Sequence, residues 1–103
     1  MPNTFSLAAA SLALLGATIV APVAAQGQAA YLAANCANCH GTEGKSAGGM
    51  PSLAGQPKAT MIQQMSDFKS GKRPATIMHQ LAKGYTDAQI EQMAEYFSRL
   101  PRP

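Results

Sequence analysis

The chain has 103 residues, 13% of them charged, and a formal charge of +3. That length allows one small domain at most. The positive excess is modest for a nucleic-acid binder and suits the steering of an acidic partner better.

No charged side chain precedes Glu43. Within that span "FSLAAASLALLGATIVAPVAA" is an apolar run followed by small residues, with Val23 and Ala25 in the small-x-small positions. The pattern predicts a secretory signal peptide over residues 1–25, cut after Ala25. Gly16 and Pro22 interrupt the run, and its length makes a poor membrane anchor, so no membrane span is expected in the mature form. One departure is that "MPNT" carries no Lys or Arg, which fits a start upstream or inefficient export. The expected organisation is therefore residues 1–25 as signal and 26–103 as one domain, in the periplasm or outside the cell. An exported chain of this kind rarely meets nucleic acid. It is also short for a self-sufficient core. A disulfide between cysteines three apart closes a tiny loop and stabilises little, so a larger apolar insert is called for.

After the signal, "GQAAYLAANCANC" is Ala-rich, with Tyr31 and Leu32 as its larger apolar residues, and predicts a short helix running into the cysteines. "HGTEGKSAGGMPSLAGQP" holds five glycines and two prolines and predicts a long functional loop. In "KATMIQQMSDFKSG", Met61, Ile62, Met65 and Phe68 have helical spacing, with Gly71 as the stop and Pro74 behind it. Met61 and Met65 read most simply as core filler. Lys69, Lys72 and Arg73 in "KSGKRP" form either a solvated loop or a docking patch for an acidic partner. "ATIMHQLAKG" predicts a short helix ended by Gly84. "TDAQIEQMAEYFSRLP" predicts the clearest helix, with Thr86 and Gln89 as capping box, Ile90, Met93, Ala94 and Phe97 on one face, and Pro101 at the end. No strand pattern and no repeat occurs, so the fold class is all-α with long loops.

"LAANCANCHGT" contains the only two cysteines, Cys36 and Cys39, with His40 directly behind. C-x-x-C-H is the attachment motif of c-type haem: each thiol adds across a vinyl group to form a thioether, and the imidazole sits under the iron. A thioredoxin-like site would need a βαβ context. Structural zinc would need four ligands, and Cys36, Cys39, His40 and the distant His79 are all the chain offers. A plain disulfide stays open in an oxidising compartment. A haem asks two further things of the chain. His40 needs an acceptor for its Nδ1–H, and an electron-carrying iron needs a sixth ligand, Met or His. His79, Met50, Met61, Met65, Met78 and Met93 follow the cysteines. Met50 lies near the anchor in the Gly-rich loop. Met78 comes after a Pro-containing loop that leaves the chain room to wrap the haem. His79 reads better as a surface or propionate-side residue than as an axial ligand or a second metal site.

"CANCHG", "GGMPSLAGQ" and "MIQQMSDFKSGKRPATIMHQLAKGYTDAQIEQMAEYF" resemble the small class I cytochromes c of bacteria, and among these most the haem subunit of flavocytochrome c sulfide dehydrogenase. The resemblance runs from about Tyr31 to Phe97 and implies the cytochrome c fold, with four or so short helices and long loops around one covalent haem c. It implies Cys36 and Cys39 as thioether positions, His40 as proximal and Met78 as distal iron ligand. It implies the Pro51 carbonyl as acceptor for His40 and Leu53 as packing on the haem. The N-terminal helix would cross the C-terminal one at Phe97 or Tyr96. Some flavocytochromes have a two-domain haem subunit; one C-x-x-C-H here implies a monohaem version.

The resemblance further implies electron transfer from an FAD-containing, sulfide-oxidising flavoprotein subunit to a soluble acceptor such as another cytochrome c. A free monohaem carrier serving an oxidase or reductase needs the same residues. A five-coordinate haem that binds gas or reacts with peroxide would require that Met78 not ligate.

Overall fold

The computed structural model describes residues 23–103, with Ser11 and Gly16 besides. Most of the predicted signal segment lies outside the described residues. Five helices follow one another: α1 Val23–Ala34, α2 Ala37–His40, α3 Lys58–Ser70, α4 Met78–Lys83 and α5 Asp87–Ser98, with a 3₁₀ turn at Thr42–Gly44 between α2 and α3. The described residues contain no strand, so the all-α reading of the sequence holds.

Local chemistry accounts for the element ends. Gly71 takes φ +77 and caps α3, its N–H donating to the Phe68 carbonyl at 3.2 Å; a left-handed cap of this kind favours glycine. Pro74 then prevents any continuation. At α5 the Thr86 hydroxyl accepts from Gln89 N at 3.1 Å, and Gln89 Oε1 accepts from Thr86 N at 2.9 Å. Asp87 stands in the first turn, where the helix dipole favours a carboxylate. Gly84 ends α4 in the right-handed region at φ −76, a plain helix stop.

The predicted run of helix into the cysteines is in fact two pieces. α1 ends at Ala34, Asn35 and Cys36 form a turn, and α2 is a single further turn. Tyr31 does not join the core: it is 76% exposed, while the adjacent Leu32 is buried.

α1 packs on α5, and α3 packs on both α4 and α5. Ala33 of α1 meets Met61 of α3 and Ala94 and Phe97 of α5. A second cluster joins Leu32, Ile90 and Met93. Phe97 is 1% exposed, and burial of such a side chain stabilises by about 1.5–3 kcal/mol. Its ring meets that of Tyr96 edge-on, with centroids 5.3 Å apart.

Candidate functional site

Cys36, Cys39 and His40 fall on one helical turn. His40 N donates to the Cys36 carbonyl at 2.9 Å, and Cys39 N reaches the same oxygen at 3.3 Å. Positions i, i+3 and i+4 share a helix face, and all three side chains line one cavity of about 280 Å³. Its other walls come from Pro51 and Leu53 in the long loop, from Met61, Met65 and Phe68 on α3, from Met78 and Leu81 on α4, and from Ile90, Met93 and Phe97 on α5. The six site residues named from the sequence are thus brought to one place.

His40 is 8% exposed, and its Nδ1 lies 2.7 Å from the Pro51 carbonyl oxygen. A carbonyl can only accept, so the proton sits on Nδ1 and the lone pair on Nε2. That is the tautomer a metal-ligating histidine needs, with its ring orientation fixed from behind. Cys36 and Cys39 are unpaired thiols. Burial pushes the Cys36 thiol above its ordinary value. Reactive redox and metal-binding thiols show the opposite displacement. Among the described residues no group of three or more His, Cys, Asp or Glu side chains is arranged to hold a metal ion.

All five methionines after the cysteines reach the cavity wall. Met61 and Met93 are buried members of the core clusters, and Met65 packs on one of them. Met50 is exposed and immediately precedes Pro51, so it belongs to the loop behind His40. Met78 opens α4, which packs on α3, whereas α2 packs on α1 and the 3₁₀ turn. Met78 and His40 therefore approach the cavity from separate parts of the fold. His79 does not line the cavity; its Nδ1 is buried without a partner.

The core-filler reading of Met61 and Met65 is incomplete, since both also face the cavity. Phe68, Ile77, Leu81 and Arg73 line it as well. Phe68 belongs to the apolar stripe legible in the sequence. Ile77 and Leu81 flank Met78 at helical spacing. Arg73 carries no signal beyond its place in a basic cluster.

A small helical domain whose C-x-x-C-H turn opens onto a methionine-lined apolar cavity has the build of a c-type cytochrome. The Cytochrome c family model matches residues 24–101, and the chain belongs to that family and has its fold. It is 42% identical over 71 residues to the cytochrome subunit of sulfide dehydrogenase of Chlorobaculum tepidum, covering 69% of this chain and 64% of that protein. It is 37% identical to a thiosulfate dehydrogenase electron acceptor of Thiomonas intermedia, covering 87% of this chain and 42% of that one. A solved cytochrome c4 of Acidithiobacillus ferrooxidans superposes with a TM-score of 0.66 at 37% identity, over 76% of this chain and 51% of that one. The chain thus spans from under half to just under two thirds of the length of these relatives. Members of the family bind haem c covalently, and the single C-x-x-C pair, Cys36 and Cys39, fits one haem. The family's work is electron transfer. Among the described residues no helix is long and apolar enough to cross a membrane.

Proposed function

We propose that the chain is the cytochrome subunit of a sulfide-oxidising complex. It takes electrons singly from an FAD-containing flavoprotein and passes them to a soluble acceptor such as another cytochrome c. The observation that carries the site is the His40 Nδ1–Pro51 carbonyl contact of 2.7 Å beside a cavity that Met78 also lines. Haem c supplies one-electron exchange between ferric and ferrous iron when bound.

The chain's own residues supply the rest. Cys36 and Cys39, free thiols on the cavity wall, would hold the group through thioethers. The Pro51 carbonyl keeps the proton on His40 Nδ1 and so leaves Nε2 for the iron. Met78, on the same cavity wall, would supply its thioether sulfur to the iron opposite the imidazole of His40, and a His/Met donor set raises the potential, as an acceptor of flavin electrons requires. Leu53, packed against the Phe97 cluster, contributes to the apolar wall that keeps water from the site. The sequence holds no nucleotide-binding motif, so substrate oxidation falls to the partner. Removal of residues 1–25 by a signal peptidase delivers residues 26–103 to the periplasm as one domain.

The C. tepidum relative is named as a sulfide dehydrogenase subunit, which supports the permanent-subunit reading. The T. intermedia relative is named as an electron acceptor, which supports a free carrier built on the same site. Affinity capture of the tagged chain from its native periplasm separates the two. A stoichiometric flavoprotein supports the subunit, and a lone monomer that exchanges electrons with an oxidase or reductase overturns it.

A further inference from the structure

The Pro51 carbonyl points at His40 Nδ1 only as firmly as its peptide plane is fixed. The proline ring locks φ, so the remaining soft dihedral is ψ, which depends on where Ser52 is held. The chain before Pro51 gives little support. A Cβ at Gly48 or Gly49 would meet no atom within 4 Å, and Met50 is exposed.

Ser52, by contrast, is held on several sides. Its hydroxyl accepts from Ser46 N at 3.0 Å, and its carbonyl accepts from Gln56 Nε2 at 2.6 Å. The next residue, Leu53, donates its N–H to the Gly44 carbonyl at 2.8 Å. The base of Gln56 is anchored in turn, since Gly55 N donates to the Phe97 carbonyl at the end of α5 at 2.8 Å.

Gln56 also lines the cavity, and its Oε1 is buried with no hydrogen-bond partner among the described residues. The reverse amide orientation would set two oxygens against each other, so the nitrogen is the atom that faces Ser52. A buried acceptor left unpaired is unfavourable, and an apolar side chain would line an apolar wall better. What the amide supplies here is its donor.

We propose that Gln56 is a positioning residue for His40: its amide braces Ser52, which keeps the Pro51 carbonyl on the Nδ1–H and the imidazole electron-rich. A firmly held Nδ1–H raises the basicity of Nε2. A more basic imidazole favours the ferric state, so the brace moderates the potential that the His/Met donor set raises. Loss of the brace therefore raises the midpoint potential. The proposal rests on His40 as the proximal ligand.

The test is proton NMR of the ferrous haem-loaded chain, reading the exchange rate and shift of the His40 Nδ1 proton, with redox titration of the same samples at fixed pH. Q56M keeps the side-chain length and loses the donor. It is expected to speed the exchange several-fold, move the resonance upfield and raise the midpoint potential. S52A removes the acceptor for Ser46 N and is expected to move the same readouts the same way by less. S52T keeps a hydroxyl and is expected to restore them. Q64M deletes another amide from the cavity wall and is expected to leave the Nδ1 proton as in the wild type. Q56M readouts that overlay the wild type overturn the proposal, as does a Q64M proton displaced as far as that of Q56M. A shifted potential with an unmoved Nδ1 proton overturns it too, and would make Gln56 a direct neighbour of the cofactor instead of a brace. Should Q56M fail to retain haem, the Ser52 variants decide. Faster exchange in S52A that recovers in S52T supports the brace, and an unmoved S52A proton overturns it. A wild-type chain without thioether-linked haem overturns this proposal and the proposed function together, whereas loaded haem with unmoved Q56M readouts overturns the brace alone.

Discussion

At Gly44 the backbone takes φ +72, and a Cβ there would lie 2.7 Å from the Phe97 ring and 3.0 Å from the Leu53 Cβ. The Gly44 carbonyl also accepts from Leu53 N at 2.8 Å and Ala54 N at 3.1 Å. One residue thus ties the turn behind His40 both to the loop that follows Pro51 and to the aromatic core of α5. Gly44→Ala combines a left-handed conformation costing roughly 1–2 kcal/mol with overpacking of roughly 1–3 kcal/mol. The denaturant midpoint of the haem-loaded protein is expected to fall by the equivalent of about 2–5 kcal/mol, at unchanged slope. Met78 is tested by chemistry rather than stability. Met78→Ala is expected to abolish the methionine–iron charge-transfer band, lower the potential and let the ferrous protein bind carbon monoxide. A band that persists would reassign the ligand to Met50, Met61, Met65 or Met93.

The helices differ in how firmly their sequences define them. α5 has a reciprocal capping box and an unbroken apolar face, Ile90, Met93, Ala94 and Phe97, all buried. Thr86→Ala removes the side-chain oxygen that accepts from Gln89 and is expected to cost about 1 kcal/mol in an equilibrium melt. A cost near zero would show that α5 is set by packing on α1 and α3 alone. These signals are local, which is why α5 and the glycine-capped α3 are legible in the amino-acid sequence. The break at Asn35–Cys36 is not legible there. Ala-rich sequence on both sides has high helix propensity, and the turn that ends α1 presents no glycine or proline. Glu43 is a similar case, since its φ of +55 inside the 3₁₀ turn belongs to a residue type that rarely adopts it. Periodicity shows that Met61, Met65 and Phe68 share a face. It cannot distinguish a face turned to protein from one turned to a cofactor, because both exclude water equally. The same blindness leaves Arg73 in a solvated loop, where a charge at the end of an apolar wall looks like any other.

Across the whole molecule, protein-to-protein packing is thin. Four of the nine buried apolar side chains among the described residues are alanines, and the larger apolar residues are shared between the core and the cavity, so a haem seated there would complete the core. Besides their packing, α3 and α5 are also tied by charge. Lys58 Nζ in the first turn of α3 lies 3.1 Å from Glu91 Oε1 and 3.3 Å from Glu95 Oε2 on α5, and Arg99 pairs with Glu95 from the next turn. The bonds from Glu91 and then Glu95 hold the Lys58 ammonium above its ordinary value. Those from Lys58 and then Arg99 hold the Glu95 carboxyl below its own. A depressed carboxyl contributes stability above its unfolded value and loses it as pH falls through the folded one. A raised ammonium contributes below its unfolded value and loses it as pH rises through the folded one. The network therefore acts on a plateau between the acid range of Glu95 and the alkaline range of Lys58. Every member is solvent-exposed, so the effect is small and screened by salt. Lys58→Met is expected to lower the melting temperature slightly at neutral pH and low salt. The difference should shrink as pH falls through the Glu95 range and again in high salt. Melting curves of the two proteins across pH and ionic strength check this, and a gap that stays constant under both would locate the loss in the packing of the Lys58 side chain instead of its charge.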